Sequence, residues 1–162
     1  MTSDKIVPSG KLEQRVNKLR AAGKKIVATN GCFDLLHVGH VRYLTAAREL
    51  GDALIVGING DESVRQLKGE GRPVNNQNDR AEIVAALSCV DLVTIFPEMR
   101  ATCFLELAAP DVYVKGGDYK QDTLNAEERQ VLQKIGAKIE IVPFEPGYST
   151  SDLLARLSKI KK

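Results

Sequence analysis

The sequence contains few cysteines, no long apolar run and no large excess of charge of one sign. Cys32, Cys89 and Cys103 show no C-x-x-C spacing and cannot all pair with one another, which favours free thiols in a reducing compartment. The longest aliphatic stretch, Ala53–Val56, is far shorter than a membrane span, and the first ten residues lack the apolar segment of a signal peptide. We therefore expect a cytoplasmic protein.

The net charge of +2 arises from 23 Lys and Arg against 21 Asp and Glu. This excess is too small to indicate a dedicated binder of nucleic acid or of a membrane surface, so we expect neither as a partner. Apolar residues make up 43% of the 162 residues, which is sufficient for one domain with its own core.

Short β-branched runs alternate with segments of helical periodicity. The predicted strands are Lys25–Thr29, Leu54–Asn59, Leu92–Phe96, Val112–Lys115 and Lys138–Val142. The predicted helices among them are Val41–Leu50, Glu62–Leu67, Asp79–Ser88, Arg100–Ala108, Ala126–Ile135 and Ser151–Ile160. Strands separated by helices need crossover connections, so the pattern predicts an α/β protein with a parallel sheet.

Residues 1–24 form a predicted helical extension ahead of a domain of residues 25–162. Its helix, Lys11–Arg20, places Leu12, Val16 and Leu19 on one face. We expect this helix to pack against the domain. Because a small domain does not necessarily cover such an apolar stripe, the stripe also predicts a homodimer.

Unusual loops follow the first, fourth and fifth predicted strands. Their sequences are G-C-F-D-L-L-H-V-G-H, K-G-G-D-Y and E-P-G-Y-S-T-S. In an open parallel sheet, ligands bind at the carboxyl ends of the strands, where the strand order reverses. We therefore predict a single domain with a Rossmann-like, doubly wound five-stranded parallel sheet in the order 3-2-1-4-5, and these loops at one edge.

The first loop carries both histidines of the chain, His37 and His40, at a predicted helix start. Backbone N–H groups and the helix dipole favour a phosphate there, and Gly31 and Gly39 allow the main chain to approach it closely. The alternative is that one histidine caps the helix and the other packs in the core. Metal ligation is disfavoured because no acidic or cysteine partner repeats at ligand spacing, and Cys32 is interpreted as structural rather than nucleophilic.

The fourth and fifth loops offer further phosphate contacts. Lys115 supplies a cation beside Gly116, with a plain glycine turn and a solvated lysine as the alternative. The segment Gly147–Ser151 puts three hydroxyls at the start of a predicted helix. An ordinary N-cap would explain them, but a second helix start at the same edge favours a triphosphate.

The polar segment Lys68–Asn78 is the longest stretch without apolar periodicity. Long polar loops in compact domains tend to be functional or mobile, so we interpret it as a lid that orders on closing. Lys68, Arg72 and Arg80 are expected to contact substrate phosphates, with a solvated basic surface as the alternative. Arg80 opens a helix, where its charge opposes the dipole, and is expected to have an anionic partner.

The loop from Gly31 to His40 resembles the G-x-F-D-x-x-H-x-G-H signature of the cytidylyltransferase-like nucleotidyltransferase superfamily, and it matches at every fixed position. The resemblance implies that His37 and His40 contact nucleotide phosphates and stabilise the pentavalent transition state. The superfamily has a similar phosphate-binding G-x-S-T-T element, whose final threonine is Ser151 here.

The stretch from about Lys25 to Ile160 is also similar to the heptose 1-phosphate adenylyltransferases, through T-N-G-C-F-D-L-L-H-V-G-H, L-K-G-E-G-R-P-V-N, V-K-G-G-D-Y and F-E-P-G-Y-S-T-S. This resemblance implies transfer of AMP from ATP to D-glycero-D-manno-heptose 1-phosphate, giving ADP-heptose for lipopolysaccharide core synthesis. In many bacteria the domain is fused behind a sugar kinase domain, and we expect the stand-alone form. The alternatives are a glycerol 3-phosphate cytidylyltransferase, another small-molecule nucleotidyltransferase, and a nucleotide-binding sensor without catalysis.

The predicted catalytic residues are His37, His40, Lys68 and Lys115. Residues predicted to bind the nucleotide are Asn30, Gly31, Cys32, Phe33, Gly39, His40, Lys115, Gly116, Tyr148, Ser149, Thr150 and Ser151. Residues predicted to bind the second substrate are Asp34, Asn59, Lys68, Arg72, Asn75, Arg80 and Asp118. Mg²⁺ is expected to arrive with ATP and to keep several waters, with no direct protein ligand and an indirect contact to Asp34.

Overall fold

The computed structural model describes residues 2–117, 123–143 and 146–160. Within these ranges the strands are β1 (Ile26–Gly31), β2 (Ala53–Asn59), β3 (Leu92–Phe96), β4 (Val112–Gly116) and β5 (Lys138–Val142). The helices are α1 (Thr2–Lys5), α2 (Ser9–Ala21), α3 (Val38–Arg48), α4 (Asp61–Lys68), α5 (Gln77–Ala85), α6 (Thr102–Ala108), α7 (Ala126–Ile135) and α8 (Thr150–Ser158).

The strands form one parallel sheet in the order β3-β2-β1-β4-β5, which confirms the predicted order. β1 pairs with β2 along its whole length, from Ile26 opposite Ala53 to Gly31 opposite Ile58. Within the described residues, β1 pairs with β4 only near their amino ends. The carboxyl ends of β1 and β4 therefore separate at the point where the strand order reverses, and a crevice for a ligand opens there.

Apolar side chains cover both faces of the sheet, as a doubly wound fold requires. On one face, α2, α6 and α7 contribute Leu12, Val16, Phe104, Leu105 and Leu132. On the other, α3 and α5 contribute Tyr43, Leu44, Ala47, Ala81 and Val84. Strand β2 lies between these clusters and is buried at every residue.

The amino-terminal extension packs against the domain, as expected. Leu12 and Val16 are fully buried, and α2 lies against α6. Ahead of α2, the Val7 N–H donates to the Val93 carbonyl at 2.8 Å beside β3. The prediction of an uncovered apolar stripe on α2 is therefore wrong, because the chain's own domain covers that face.

Helix α7 shows why some boundaries are readable from the sequence. The Asn125 side chain accepts hydrogen bonds from the N–H groups of Glu127 and Glu128, which satisfies the helix start. Gly136 ends the helix with a φ of 73°, a conformation that glycine adopts without strain. Both signals are local, and the predicted bounds match the observed ones.

Other boundaries depend on contacts between distant segments. The predicted helix from Arg100 begins only at Thr102, and Arg100 lies in the loop between β3 and α6. In the part of the chain that the structure describes, no helix combines the length and the apolar character needed to cross a membrane.

Candidate active site

A cavity of about 650 Å³ lies at the carboxyl ends of β1 and β4. Small-molecule sites commonly have volumes of about 300–1,000 Å³. Predicted site residues in its wall are Asn30, Gly31, Cys32, Phe33, His40, Asn59, Lys68, Lys115 and Gly116. The structure thus brings together side chains from the ends of β1, β2, β4 and α4 and from the start of α3.

Both histidines lie at the amino-terminal end of α3, where the sequence predicts them. Their ring centroids are 4.0 Å apart, and the His37 N–H donates a long hydrogen bond of 3.4 Å to His40 Nδ1. His37 Nδ1 is buried and has no hydrogen-bond partner among the described residues. His37 is the N-cap of α3, which agrees with the alternative that one histidine caps the helix, and its ring does not line the cavity.

The surroundings of both imidazoles favour their neutral form. Burial lowers the pKa of His37, and burial together with the neighbouring His37 lowers the pKa of His40 to about 4. Because neutral His40 accepts a hydrogen bond at Nδ1, its proton lies on Nε2, which can donate to a phosphate oxygen. A bound polyanion would favour protonation of both rings.

The last loop contacts the first at Gly39. A Cβ at this position would lie 2.9 Å from both His37 Nδ1 and Tyr148 Cβ, which is too close for any larger residue without movement. The guanidinium carbon of Arg42 lies 5.4 Å from the centroid of the Tyr148 ring, within the range of a cation–π contact. The two predicted phosphate loops therefore adjoin.

The hydroxyls of the last loop are partly engaged within the fold. Ser149 Oγ accepts a hydrogen bond from the Asp152 N–H at 3.0 Å and donates to the Asp152 carboxylate at 2.7 Å. Thr150 Oγ1 donates to the Leu35 carbonyl at 3.5 Å, and Ser151 is exposed. Ser149 is therefore the N-cap of α8, which was the alternative to its being a phosphate ligand. Residues 147–151 lie outside the wall of the cavity.

Asp34 holds the polar loop against the first phosphate loop. Its buried carboxylate accepts hydrogen bonds from Arg72 Nε at 2.6 Å and from the N–H groups of Val74 and Asn75 at 2.8 and 3.0 Å. Asn75 Nδ2 donates to the Asp34 carbonyl at 3.0 Å. Burial alone would raise the pKa of Asp34, but these N–H groups and Arg72 outweigh it and lower the pKa.

These contacts correct several expectations. The Asp34 carboxylate is occupied by the polar loop, so it is not placed to contact magnesium or substrate. The Asn75 amide and Arg72 Nε are likewise used within the protein. The loop itself is shorter than the predicted segment Lys68–Asn78, because Lys68 ends α4 and Asn76 caps α5.

Changing Asp34 to asparagine is expected to loosen the polar loop. Hydrogen bonds to a charged group contribute about 1.5–3 kcal/mol, so amide exchange at Val74 and Asn75 should become about 10- to 100-fold faster. Hydrogen exchange followed by NMR measures this. The control is Glu70→Gln, which removes an exposed charge from the same loop. Equal exchange rates in the two variants would contradict the anchoring role.

Arg80 is fully buried, so the expected substrate contact is also wrong. Its guanidinium donates to the backbone carbonyls of Asn75, Cys32 and Asn59. It also donates to Asp61 Oδ1 at 2.8 Å, which supplies the anionic partner that the sequence predicts. Arg80 therefore joins the loops after β1 and β2 to the polar loop.

The amides and the thiol in the cavity wall also make internal contacts. Asn30 Oδ1 accepts from the Tyr113 hydroxyl at 2.7 Å, and Asn59 Nδ2 donates to Ser63 Oγ at 3.2 Å. Burial raises the pKa of the Cys32 thiol although cationic side chains lie near it. A protonated thiol agrees with the structural interpretation of Cys32 and not with a nucleophile.

Lys68 at the end of α4 and Lys115 at the end of β4 both line the cavity. Further residues of the wall were not predicted from the sequence: Tyr43, Leu67, Met99, Arg100, Thr123, Leu124, Asn125 and Glu128. Arg100 was missed because its segment has helical periodicity, although Pro97 before it is a loop signal. The predicted contact of Asp118 lies outside the described residues.

Among the described residues, no group of three or more His, Cys, Asp or Glu side chains could hold a metal ion. The carboxylate of Asp34, the expected indirect contact, already binds Arg72 and two backbone N–H groups.

A family model described as cytidylyltransferase-like matches residues 28–156. The match includes both loops at the starts of α3 and α8. The chain belongs to the cytidylyltransferase-like family. This membership confirms the resemblance carried by the loop from Gly31 to His40.

Similar proteins include two called bifunctional protein HldE. The one from Geobacter sulfurreducens is 48% identical over 140 residues, which cover 86% of this chain and 28% of that protein. The one from Aliarcobacter butzleri is 48% identical over 151 residues, covering 93% and 30% respectively. The chain thus spans less than a third of the length of these curated relatives.

Two solved structures share the fold. The lipopolysaccharide core biosynthesis protein from Thermoplasma volcanium superposes with a TM-score of 0.63 at 27% identity, covering 76% of this chain and 98% of that chain. Pantoate-beta-alanine ligase from Francisella tularensis gives a TM-score of 0.64 at 18% identity, covering 95% and 73%. The second similarity concerns the fold alone.

Proposed function

We propose that the protein transfers AMP from ATP to D-glycero-D-manno-heptose 1-phosphate, giving ADP-heptose and pyrophosphate for lipopolysaccharide core synthesis. The observation that carries this proposal is the cavity at the point where the strand order of the sheet reverses. His40, Lys68 and Lys115, from three different elements, all line this cavity. Support for the acceptor comes from the 48% identity to HldE proteins and from the four segments that resemble heptose 1-phosphate adenylyltransferases.

In the proposed reaction, an oxygen of the sugar 1-phosphate attacks the α-phosphorus of ATP. The bond between that phosphorus and the oxygen bridging to the β-phosphorus breaks, and pyrophosphate leaves with the electron pair. A phosphate monoester has a second pKa of about 6 and is largely ionised at neutral pH, so no general base is needed. The barrier lies in joining two polyanions, and positioned cations and donors lower it.

The chain's own residues supply these groups. His40 Nε2 would donate to an oxygen of the α-phosphate as negative charge builds there, and His37 would donate from the same helix start. Lys115 and Lys68, which both line the cavity, would hold phosphates of the two substrates. Mg²⁺ would arrive bound to ATP and neutralise part of its charge, without a ligand cage from the protein.

A panel of substrates tests the proposal. Pyrophosphate release is measured with ATP or CTP against heptose 1-phosphate or glycerol 3-phosphate. A pocket that hydrogen-bonds one base leaves buried groups unpaired with the other, at about 1–3 kcal/mol each, so we expect kcat/KM for ATP with heptose 1-phosphate to exceed the other pairs by about 10- to 100-fold or more.

Other outcomes of the panel would replace the proposal. Equal or better use of CTP with glycerol 3-phosphate would indicate a cytidylyltransferase instead. Nucleotide binding without pyrophosphate release from any pair would indicate a sensor.

We also propose a cytoplasmic homodimer. The dimer is supported by the exposed apolar side chains of Leu157, in α8, and Ile160, just beyond its end. Free Cys32, Cys89 and Cys103 agree with a reducing compartment. Light scattering at micromolar concentration should give twice the mass of one 17.7 kDa chain, and the mass of a single chain would rule the dimer out.

A further inference from the structure

Glu128 is a buried carboxylate in the cavity wall that the proposed reaction does not use. It lies in the first turn of α7, is 6% exposed, and shares the wall with Lys115 and Arg100. A negative charge in a cavity that receives two polyanions opposes their binding. We therefore expect the Glu128 carboxylate to stabilise the neighbouring cationic side chains or the loop that carries them.

The first effect concerns the loop that carries Arg100. Glu128 Oε1 accepts a hydrogen bond of 2.9 Å from the N–H of Ala101, the fully buried residue that precedes α6. A carboxylate that accepts from a backbone N–H forms a strong, charge-assisted hydrogen bond. Glu128 thereby fixes the backbone next to Arg100, whose side chain is exposed.

The second effect concerns Lys115. Burial lowers the pKa of Lys115, and the charge of Glu128 opposes that change more strongly than Cys32 does. Arg100 acts in the opposite direction, since a second cation disfavours the ammonium form. Glu128 and Arg100, which share the cavity wall with Lys115, therefore act on its pKa in opposite directions.

We propose that Glu128 is a positioning residue of the adenylyl-transfer site, which places a carboxylate in the wall that it shares with Lys115 and holds the Arg100 segment at the cavity. The role in catalysis rests on the proposed function, whereas the effect on Lys115 does not. Glu128 acts through Lys115 and Ala101 and does not itself contact the reacting phosphates.

A matched pair of variants separates charge from packing. Glu128→Gln keeps the size of the side chain and an acceptor oxygen for Ala101, but it removes the charge. Glu127→Gln removes the same charge from the preceding, exposed residue of α7. The ammonium titration of Lys115 is followed by NMR of its ε-carbon. The signal of this carbon is identified as the one that is lost in Lys115→Arg.

We expect Glu128→Gln to shift the Lys115 titration to lower pH, and Glu127→Gln to leave it in place. Arg100→Gln, a change at an exposed residue that folding tolerates, should shift it upward. An unchanged Lys115 titration in Glu128→Gln would overturn the inference. If Glu128→Gln does not fold, an unchanged Lys115 titration in Arg100→Gln would overturn the inference.

Kinetics then test the positioning role. In Glu128→Gln, the alkaline limb of the pH profile of kcat/KM should move to lower pH by the same shift as the Lys115 titration. A lower Tm with an unmoved alkaline limb would mean a structural role only and would overturn the proposal. If the wild-type protein releases no pyrophosphate, the proposed function fails, and the Lys115 titration still decides whether Glu128 acts on Lys115.

Discussion

Replacing His40 with alanine is expected to lower the turnover number at saturating ATP by about 10²–10³, because removal of one preorganised donor typically has an effect of this size. Thermal stability should change far less, since the His40 ring is only partly buried at the edge of the cavity. Pyrophosphate release measures the first quantity and Tm the second. Thr45→Ala on the exposed face of α3 is the matched control.

The charge state of His40 provides an independent check of its role. Its pKa of about 4 in the folded protein lies below the value of about 6.5 expected for an unfolded chain. The unfolded state therefore binds the proton more readily, and the contribution of the neutral ring to stability is present above pH 6.5 and lost as pH falls towards 4. ATP should raise the pKa of bound His40.

NMR titration of the imidazoles with and without ATP tests this expectation, and His37→Gln identifies the signal of His40, since the chain has two histidines. An identical His40 titration in both conditions would argue against a phosphate contact. Near-normal turnover of the His40→Ala protein would falsify the catalytic role.

Arg80→Ala is expected to lower the free energy of unfolding by about 3–5 kcal/mol, as is typical when one member of a buried ion pair is removed. The change leaves Asp61 and three backbone carbonyls without their donor and opens a cavity in the interior. Urea denaturation measures the loss. Arg65→Ala removes an exposed arginine that pairs with Glu62, and it should cost no more than about 1 kcal/mol.

Arg80 also distinguishes the two interpretations of the basic residues near the polar loop. If Arg80→Ala kept the wild-type stability and instead raised KM, then Arg80 would contact substrate as the sequence predicts. Arg80→Lys should recover little of the loss, since an ammonium cannot reproduce the planar donors that bind several carbonyls at once.

The elements predicted most accurately are those with local signals. The predicted bounds of β3, β5 and α7 equal the observed ones, because β-branched runs and the Asn125 and Gly136 caps mark their ends. The strand order also followed from the sequence, because unusual loops after three strands indicated which carboxyl ends adjoin. Helix α1 was not predicted, since four residues are too few for a periodic pattern.

The sequence by itself determined the sheet, its order and the glycine-rich helix start that carries His37 and His40, since each depends on residues close together in the chain. Only the tertiary structure decided which charged side chains face the cavity. Asp34 and Arg80 looked equally suited to bind substrate, yet both are buried and bound to other parts of the protein. Glu128 carried no signal in the sequence and lies in the cavity wall. The physical reason is that a charged side chain is buried only where partners from distant segments offset its loss of hydration, and the periodicity of one segment contains no information about those partners.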